Sequence, residues 1–140
     1  MKNFPFEITL QPRLSETDML GHINNTVPGI WYEAGRTNVM DLMYKTVPEF
    51  DQLMMAVRTE IDYVAEMFYG DEVIVYTGIE RLGNSSLVYY QEVWQKGKCC
   101  SRSRTTLVHV DRQTRRSSRL PDPLRAFLNR YLLESDRDDG

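Results

Sequence analysis

The residues from Val27 to Tyr44 constrain the fold of this chain more than any other stretch. At 100° per residue, Ile30, Trp31, Tyr32, Ala34, Gly35, Val39, Leu42 and Met43 cover half the helical circumference or more. Glu33, Arg36, Thr37, Asp41 and Tyr44 gather on the remaining arc. A helix with so wide an apolar arc has to be enclosed, and a curved sheet is the simplest way to enclose it. Pro28 suits the first turn, where its missing N–H is not needed. Asn24, Asn25 or Thr26 can cap that turn.

The rest of the chain supplies the sheet. Phe6 to Gln11 alternates apolar and polar residues, the pattern of a half-buried strand, and Pro12 ends it. After a loop around Pro48, from Thr46 to Gln52, nearly everything from Met54 to Asp111 reads as strand. The segments are Met55–Val64, Glu72–Arg81, Ser86–Gln95 and Cys99–Val110. Turn signals separate them at Tyr69-Gly70-Asp71, Gly83-Asn84 and Lys96-Gly97-Lys98. Connections this short predict an antiparallel meander. Asp122 as cap and Pro123 at the first position open a last helix. There Leu124, Phe127, Leu128, Tyr131 and Leu132 fall at amphipathic spacing. The tail from Glu134 to Gly140 is acidic and predicted to fray. The order strand, long helix, four strands, helix predicts an α+β architecture, a five-stranded antiparallel sheet wrapped around a central helix. With 140 residues and no repeat or linker, 1–140 is expected to be a single domain.

Composition excludes several classes of function. A net charge of -3 gives no general attraction to nucleic acid or to anionic membrane. No apolar run approaches the roughly 20 residues of a membrane span, and the N-terminus lacks the core of a signal peptide. A cytoplasmic protein is expected. The two cysteines, Cys99 and Cys100, are neighbours and read as reduced strand residues. With His22 and His109 they make no zinc set at any usual spacing, so no metal is expected.

Chemistry is expected between the first strand and the helix. Glu16-Thr17-Asp18-Met19-Leu20-Gly21-His22-Ile23-Asn24-Asn25 puts two carboxylates, an imidazole and two amides into ten residues. Gly21 allows a tight turn directly after Asp18. Asn24 and Asn25 sit where the helix begins, and its first N–H groups have no partner within the helix. Those donors and the positive end of the helix dipole can hold a carbonyl oxygen as it becomes an oxyanion. Asp18 can place a carboxylate beside the same carbonyl carbon, as nucleophile or as general base for water. Turn and cap duties alone would also account for these residue types.

The run Arg13-Leu-Ser-Glu-Thr-Asp18-Met-Leu-Gly21-His22-Ile-Asn24-Asn25, followed by Trp31-Tyr32-Glu33 and Arg36, resembles the signature of hotdog-fold acyl-CoA thioesterases. It is most similar to the 4-hydroxybenzoyl-CoA thioesterase-like group. The likeness continues through Asp62-Tyr63, Gly70-Asp71-Glu72-Val73, Leu82-Gly83-Asn84-Ser85-Ser86 and Val110-Asp111. It implies a helix wrapped in a five-stranded sheet, homodimers or homotetramers, and active sites at the dimer interface. The family's catalytic aspartate falls on Asp18, and its oxyanion donor, a backbone N–H, falls at about Asn25. His22 belongs to the Gly-His-x-Asn-Asn version of the motif, where it orients Asp18 or a water or holds the loop. The resemblance implies no cofactor beyond the coenzyme A that arrives with the substrate. Val27-Pro28-Gly29 stands where many relatives carry a large side chain, and the acyl group stays open. The expected activity is hydrolysis of an acyl-CoA thioester to a carboxylic acid and coenzyme A. The alternative is a non-catalytic acyl-CoA binding or sensing protein.

Other candidates read more simply as structure. Glu33 and Arg36 are spaced for a helix-surface ion pair. Among Arg102, Arg104, Arg112, Arg115, Arg116 and Arg119, one or two suit coenzyme A phosphates, across a dimer as readily as within a chain. Arg102 and Arg104 also suit cross-strand pairing with Glu60 and Asp62. His109 stands alone in a strand. Ser85-Ser86 lack the Gly-x-Ser-x-Gly elbow of a serine hydrolase.

Overall fold

The computed structural model describes residues 3–47 and 53–134. The loop predicted around Pro48 lies largely outside them, as does the tail beyond Glu134. Five strands and two α-helices follow in the order β1 (Phe6–Leu10), α1 (Pro28–Thr46), β2 (Leu53–Tyr63), β3 (Val73–Leu82), β4 (Ser86–Gln95), β5 (Lys98–Val110) and α2 (Asp122–Asn129). The strands form one antiparallel sheet in the order β1-β3-β4-β5-β2. Only β3, β4 and β5 form the predicted meander. The residues between β2 and β3 cross the sheet, so β2 pairs with β5 and becomes an edge.

The hairpin turns are built as their residues demand. Lys96 and Gly97 both take positive φ, 54° and 73°, which matches a two-residue turn to the twist of β4 and β5. At the other end of β4, the Gly83 N–H donates to the Ser86 carbonyl at 2.7 Å.

Helix α1 packs on β1, β3 and β4 and buries Trp31, Tyr32, Gly35, Val39 and Met43. The core beneath it is divided. One apolar cluster holds Ile23, Val27, Trp31, Val75, Val93 and Cys100. The other holds Val39, Met43, Ile79, Leu87, Tyr89, Leu107 and the α2 residues Leu124, Phe127 and Leu128.

A polar belt runs between them. The Tyr32 hydroxyl donates to Ser101 Oγ at 2.6 Å, and Gln91 Nε2 donates to the Tyr32 carbonyl and to Thr77 Oγ1, both at 2.9 Å. An Arg36 N–H donates to Gln91 Oε1 at 3.1 Å and to Thr105 Oγ1 at 3.4 Å. Ser103 Oγ, buried in the same row, meets no partner among the described residues.

The belt corrects the expected Glu33–Arg36 pair. Arg36 turns toward the sheet, Glu33 stays exposed, and no ion pair joins them among the described residues. Ile30, placed on the apolar arc, is 66% exposed.

The remaining differences concern helix starts and charge partners. The residue before α1 is Val27, with no side-chain cap. Asn24 instead closes a turn one step earlier, its Oδ1 accepting from the Thr26 N–H and hydroxyl at 2.9 Å. Asp122 is the first residue of α2 rather than its cap, and its carboxylate takes Arg119 at 2.9 Å. Arg104 stands opposite Glu60 in the ladder, as expected. Its guanidinium nevertheless lies over the Tyr90 ring and pairs at 2.9 Å with Glu80, the residue extruded by a bulge in β3.

The chain end completes the other side of the sheet. Beyond β1, the exposed backbone of β3 is taken by the C-terminal residues. The Ile79 N–H donates to the Tyr131 carbonyl at 3.2 Å, and the Leu133 N–H donates to the Ile79 carbonyl at 2.7 Å.

Candidate active site

The loop before α1 folds on itself around Asp18. The Asp18 N–H donates to the His22 carbonyl at 2.8 Å, and the Gly21 N–H donates to the Asp18 carbonyl at 3.1 Å. Gly21 sits at φ 81°, and a Cβ there would meet nothing within 4 Å. Glycine is needed for its backbone angle alone. The closed loop points two donors at the Asp18 side chain: Oδ1 accepts the Leu20 N–H at 2.9 Å and the His22 N–H at 3.3 Å. The second oxygen, Oδ2, has no partner among the described residues. One oxygen is held and the other is left for a substrate or a water.

Glu16, the other carboxylate of the run, has a different task. Its Oε1 accepts the Arg13 N–H at 2.7 Å and its Oε2 accepts Trp31 Nε1 at 3.2 Å. The Asn24 N–H donates to the Glu16 carbonyl at 2.8 Å. Glu16 fastens the Asp18 loop to the buried face of α1.

His22 meets Asp18 only through its backbone. Its ring turns away: Nδ1 lies 3.4 Å from Glu66 Oε1, and the ring edge meets Phe68 with centroids 5.0 Å apart. Asn25 is exposed, three residues before the helix. Its carbonyl accepts the Tyr63 hydroxyl at 2.7 Å. The N–H groups of Asn25 and Gly29 donate to no described residue, and Pro28 between them has none.

Asp18, His22 and Asn25 open onto one cleft of about 350 Å³. Ile23 and Pro28 form one wall, and Tyr63, Val64, Ala65, Glu66 and Met67 form the other. The second wall was not singled out in the sequence as part of a site. Its signal is Glu66, one charge in the run Val64-Ala65-Glu66-Met67-Phe68. The wall is fixed to the loop where the Ile23 N–H donates to the Met67 carbonyl at 2.8 Å. A smaller concavity of about 250 Å³, lined by Tyr76, Trp94, Asp71 and Lys96, lies elsewhere. Its Asp71 is tied up with Lys96 at 3.1 Å, and no helix end opens onto it. Among the described residues, no group of three or more His, Cys, Asp or Glu side chains is placed to hold a metal ion.

A cleft with a tethered carboxylate and open N–H groups at a helix start can polarise a carbonyl and deliver a nucleophile to it. The other candidates lie away from it. The Arg112 to Arg119 segment follows the far end of β5, and His109 is buried there with Nδ1 3.0 Å from the Ser118 carbonyl.

Comparison with known proteins bears on this geometry. The family model of a thioesterase-like superfamily matches residues 12–128. A predicted thioesterase from Bacillus stearothermophilus, of known structure, is 41% identical, with a TM-score of 0.85 over 93% of this chain and 98% of that one. A thioesterase from Thermus thermophilus, solved with coenzyme A and zinc, is 27% identical, with a TM-score of 0.78 over 90% of this chain and 98% of that one. YneP of Bacillus subtilis (strain 168), provisionally assigned as an acyl-CoA thioesterase, is 24% identical over 109 residues, 75% of this chain and 79% of its own.

Proposed function

The chain belongs to the thioesterase-like superfamily, hydrolases of thioester bonds, and from that premise we propose that it cleaves an acyl-CoA at the Asp18 cleft. Its α+β architecture is the hotdog fold. The observation that carries the proposal is the division of labour at Asp18: two backbone N–H groups hold Oδ1, while Oδ2 has no partner among the described residues.

In the general-base form, Asp18 takes a proton from water as the water oxygen adds to the thioester carbonyl carbon. The carbonyl oxygen becomes an oxyanion, with the Asn25 N–H as donor and the start of α1 adding its dipole. Collapse breaks the C–S bond, releases the coenzyme A thiolate, and leaves the carboxylic acid. In the nucleophilic form, Asp18 attacks the carbon itself, the C–S bond breaks with release of the coenzyme A thiolate, and water cleaves the resulting anhydride to the carboxylic acid and free Asp18. His22 acts in either form through its backbone, which closes the loop, while its ring is held by Glu66 and Phe68. No cofactor beyond the coenzyme A of the substrate is required.

We further propose a homodimer formed through β2. This strand is an 11-residue edge, and Met55, Val57 and Tyr63 are 48%, 61% and 56% exposed. An unpaired edge of this length offers backbone groups that another strand can satisfy. A two-fold axis near Thr59 would set Arg58 opposite Glu60 of the partner subunit, a charge-complementary pair that each chain already makes within itself at 3.2 Å.

The test is release of free thiol from a panel of acyl-CoAs by the wild type and by Asp18→Asn. Wild-type turnover with a loss of roughly 10² to 10⁴ in the variant is expected. Retained activity in the variant would refute the role of Asp18. Tight binding of an acyl-CoA without cleavage would replace the enzyme with a binding protein.

A further inference from the structure

The geometry points to a second binding site, a concavity walled by Tyr76 and Trp94 on the outer face of the sheet, that takes an alkylated ammonium ion. It stands apart from the thioester reading and from the β2 dimer.

The walls face away from α1. Val73, Val75 and Val93 belong to the core cluster around Trp31, so their strand neighbours Ile74, Tyr76 and Trp94 point outward. Tyr76 and Trp94 meet at 87° with centroids 6.2 Å apart. Rings at a right angle make two walls of a cavity of about 250 Å³, which Ile74, Asp71, Glu72 and Lys96 also line. Both rings are fixed from behind. Phe4 stacks on Tyr76 with centroids 5.3 Å apart, and Trp94 Nε1 donates to Glu92 Oε1 at 2.8 Å. Glu92 is only 7% exposed, and its other oxygen accepts the Tyr90 hydroxyl at 2.6 Å. An indole that donates to a carboxylate gains electron density, and the negative face of a ring is what holds a cation.

The charge around the rings has the sign a cation needs. Asp71 and Glu72 line the cavity, Glu92 holds the Trp94 edge, and Glu7 stands opposite Tyr76 in the β1–β3 ladder. Burial, Glu7 and Glu92 together push the Tyr76 hydroxyl up. Against these carboxylates the lining holds one cation among the described residues, Lys96, paired with Asp71 at 3.1 Å. Its side chain is 69% exposed, and so open an ion pair is weak enough to give way. Glu72 is exposed and pairs with no cation among the described residues.

The chemistry of the walls selects among cations. A compact ammonium is strongly hydrated and gives up water reluctantly, whereas an alkylated ammonium sheds it and lays its methyl groups on the rings. The cavity is smaller than the roughly 300–1,000 Å³ of sites for drug-sized ligands, so it suits a head group of this kind.

The test uses the whole chain. Its 2 tryptophans give two indole N–H signals by NMR, and Trp31, buried in the core, is the internal control for Trp94. Tetramethylammonium chloride is titrated against sodium chloride at equal ionic strength. The Trp94 signal should move saturably with tetramethylammonium alone, and the Trp31 signal should stay. Glu72→Gln should weaken binding roughly 2–5-fold, and Tyr76→Leu at least as much. Lys96→Gln, which frees Asp71, should tighten it. An equal response to both salts, or no saturable shift by roughly 100 mM, overturns the proposal. Unchanged affinity in Glu72→Gln does the same, and that exposed position leaves the fold intact should Tyr76→Leu fail to fold. Choline and phosphatidylcholine vesicles then separate the sources of the ion. Choline binding without vesicle co-sedimentation assigns a soluble ligand. Co-sedimentation that Glu72→Gln weakens assigns a lipid head group, and either result upholds the site.

Discussion

Gly35→Ala sets two known effects against each other. Gly35 lies inside α1, where alanine favours the helix by about 1 kcal/mol over glycine. If propensity were all that mattered, the substitution would stabilise. The contacts say otherwise. A Cβ on Gly35 would sit 2.9 Å from Gln91 Nε2, 2.9 Å from Thr77 Oγ1 and 3.0 Å from Val75 Cγ1. Those three residues are 0%, 1% and 0% exposed, so none has room to retreat. Overpacking of this kind costs about 1–3 kcal/mol. Moving the Gln91 amide also endangers its bonds to Tyr32 and Thr77, and an unsatisfied buried group costs a further ~1–3 kcal/mol. The net expectation is a loss of about 2–3 kcal/mol, or about 5–10 °C in Tm for a chain of this size. Gly29→Ala is the control on the same helix, since its Cβ would make only an ordinary contact, 3.9 Å from Ile61 Cδ1. Urea denaturation followed by tryptophan fluorescence reads both. If Gly35→Ala is as stable as the wild type, or tracks Gly29→Ala, the tight seam between α1 and the sheet is not what fixes this residue as glycine.

The remaining expectations concern the loop and the alkaline limit. Gly21→Ala forces a left-handed alanine, costing about 1–2 kcal/mol of local strain. It should lower kcat without large loss of stability; full activity would show that the Asp18 loop need not close. Burial pushes the Tyr89 hydroxyl up to about 12. A folded-state pKa above the unfolded value of about 10 means stability that is complete below pH 10 and is lost as pH rises toward 12. Tyr89→Phe should therefore flatten the fall in stability, read from urea denaturation between pH 10 and 12, by about 1.4 kcal/mol per pH unit. An unchanged slope would mean the ring already ionises freely.

What the sequence disclosed follows the range of the interaction concerned. Ser86–Gln95 was bounded to the residue, because Gly83-Asn84 and Lys96-Gly97 punctuate it locally. The Asp18 loop was legible because Gly21 and the donors that hold Oδ1 lie within four residues of Asp18. The pairing of β2 with β5 was signalled only by the charges, Arg102 and Arg104 against Asp62 and Glu60, because a connection of nine residues can lead to either edge and the turns do not choose. Arg36 was misplaced because its side chain bends inward to Gln91 and Thr105, 55 and 69 residues away. The cleft wall from Tyr63 to Met67 was missed for the same reason, since it meets Asn25 and Ile23 only in three dimensions.

The two edges of the sheet are unlike, and that bears on how copies of the chain can stack. On one side β1 is only five residues long, flanked by Pro5 and Pro12, and the β3 backbone beyond it is taken by Tyr131 and Leu133. On the other side β2 is 11 residues long, and no described strand pairs with its outer edge. Joining β2 of one copy to β1 of the next would leave a new β2 exposed each time and grow an open filament. Proline brackets and a short strand make β1 a poor acceptor for that step. Joining β2 to β2 consumes both long edges at once, so polymerisation ends at the second copy. If the proposed β2 dimer forms, the residues that seal the β3 edge, far from the cleft, act as a chain terminator for its assembly.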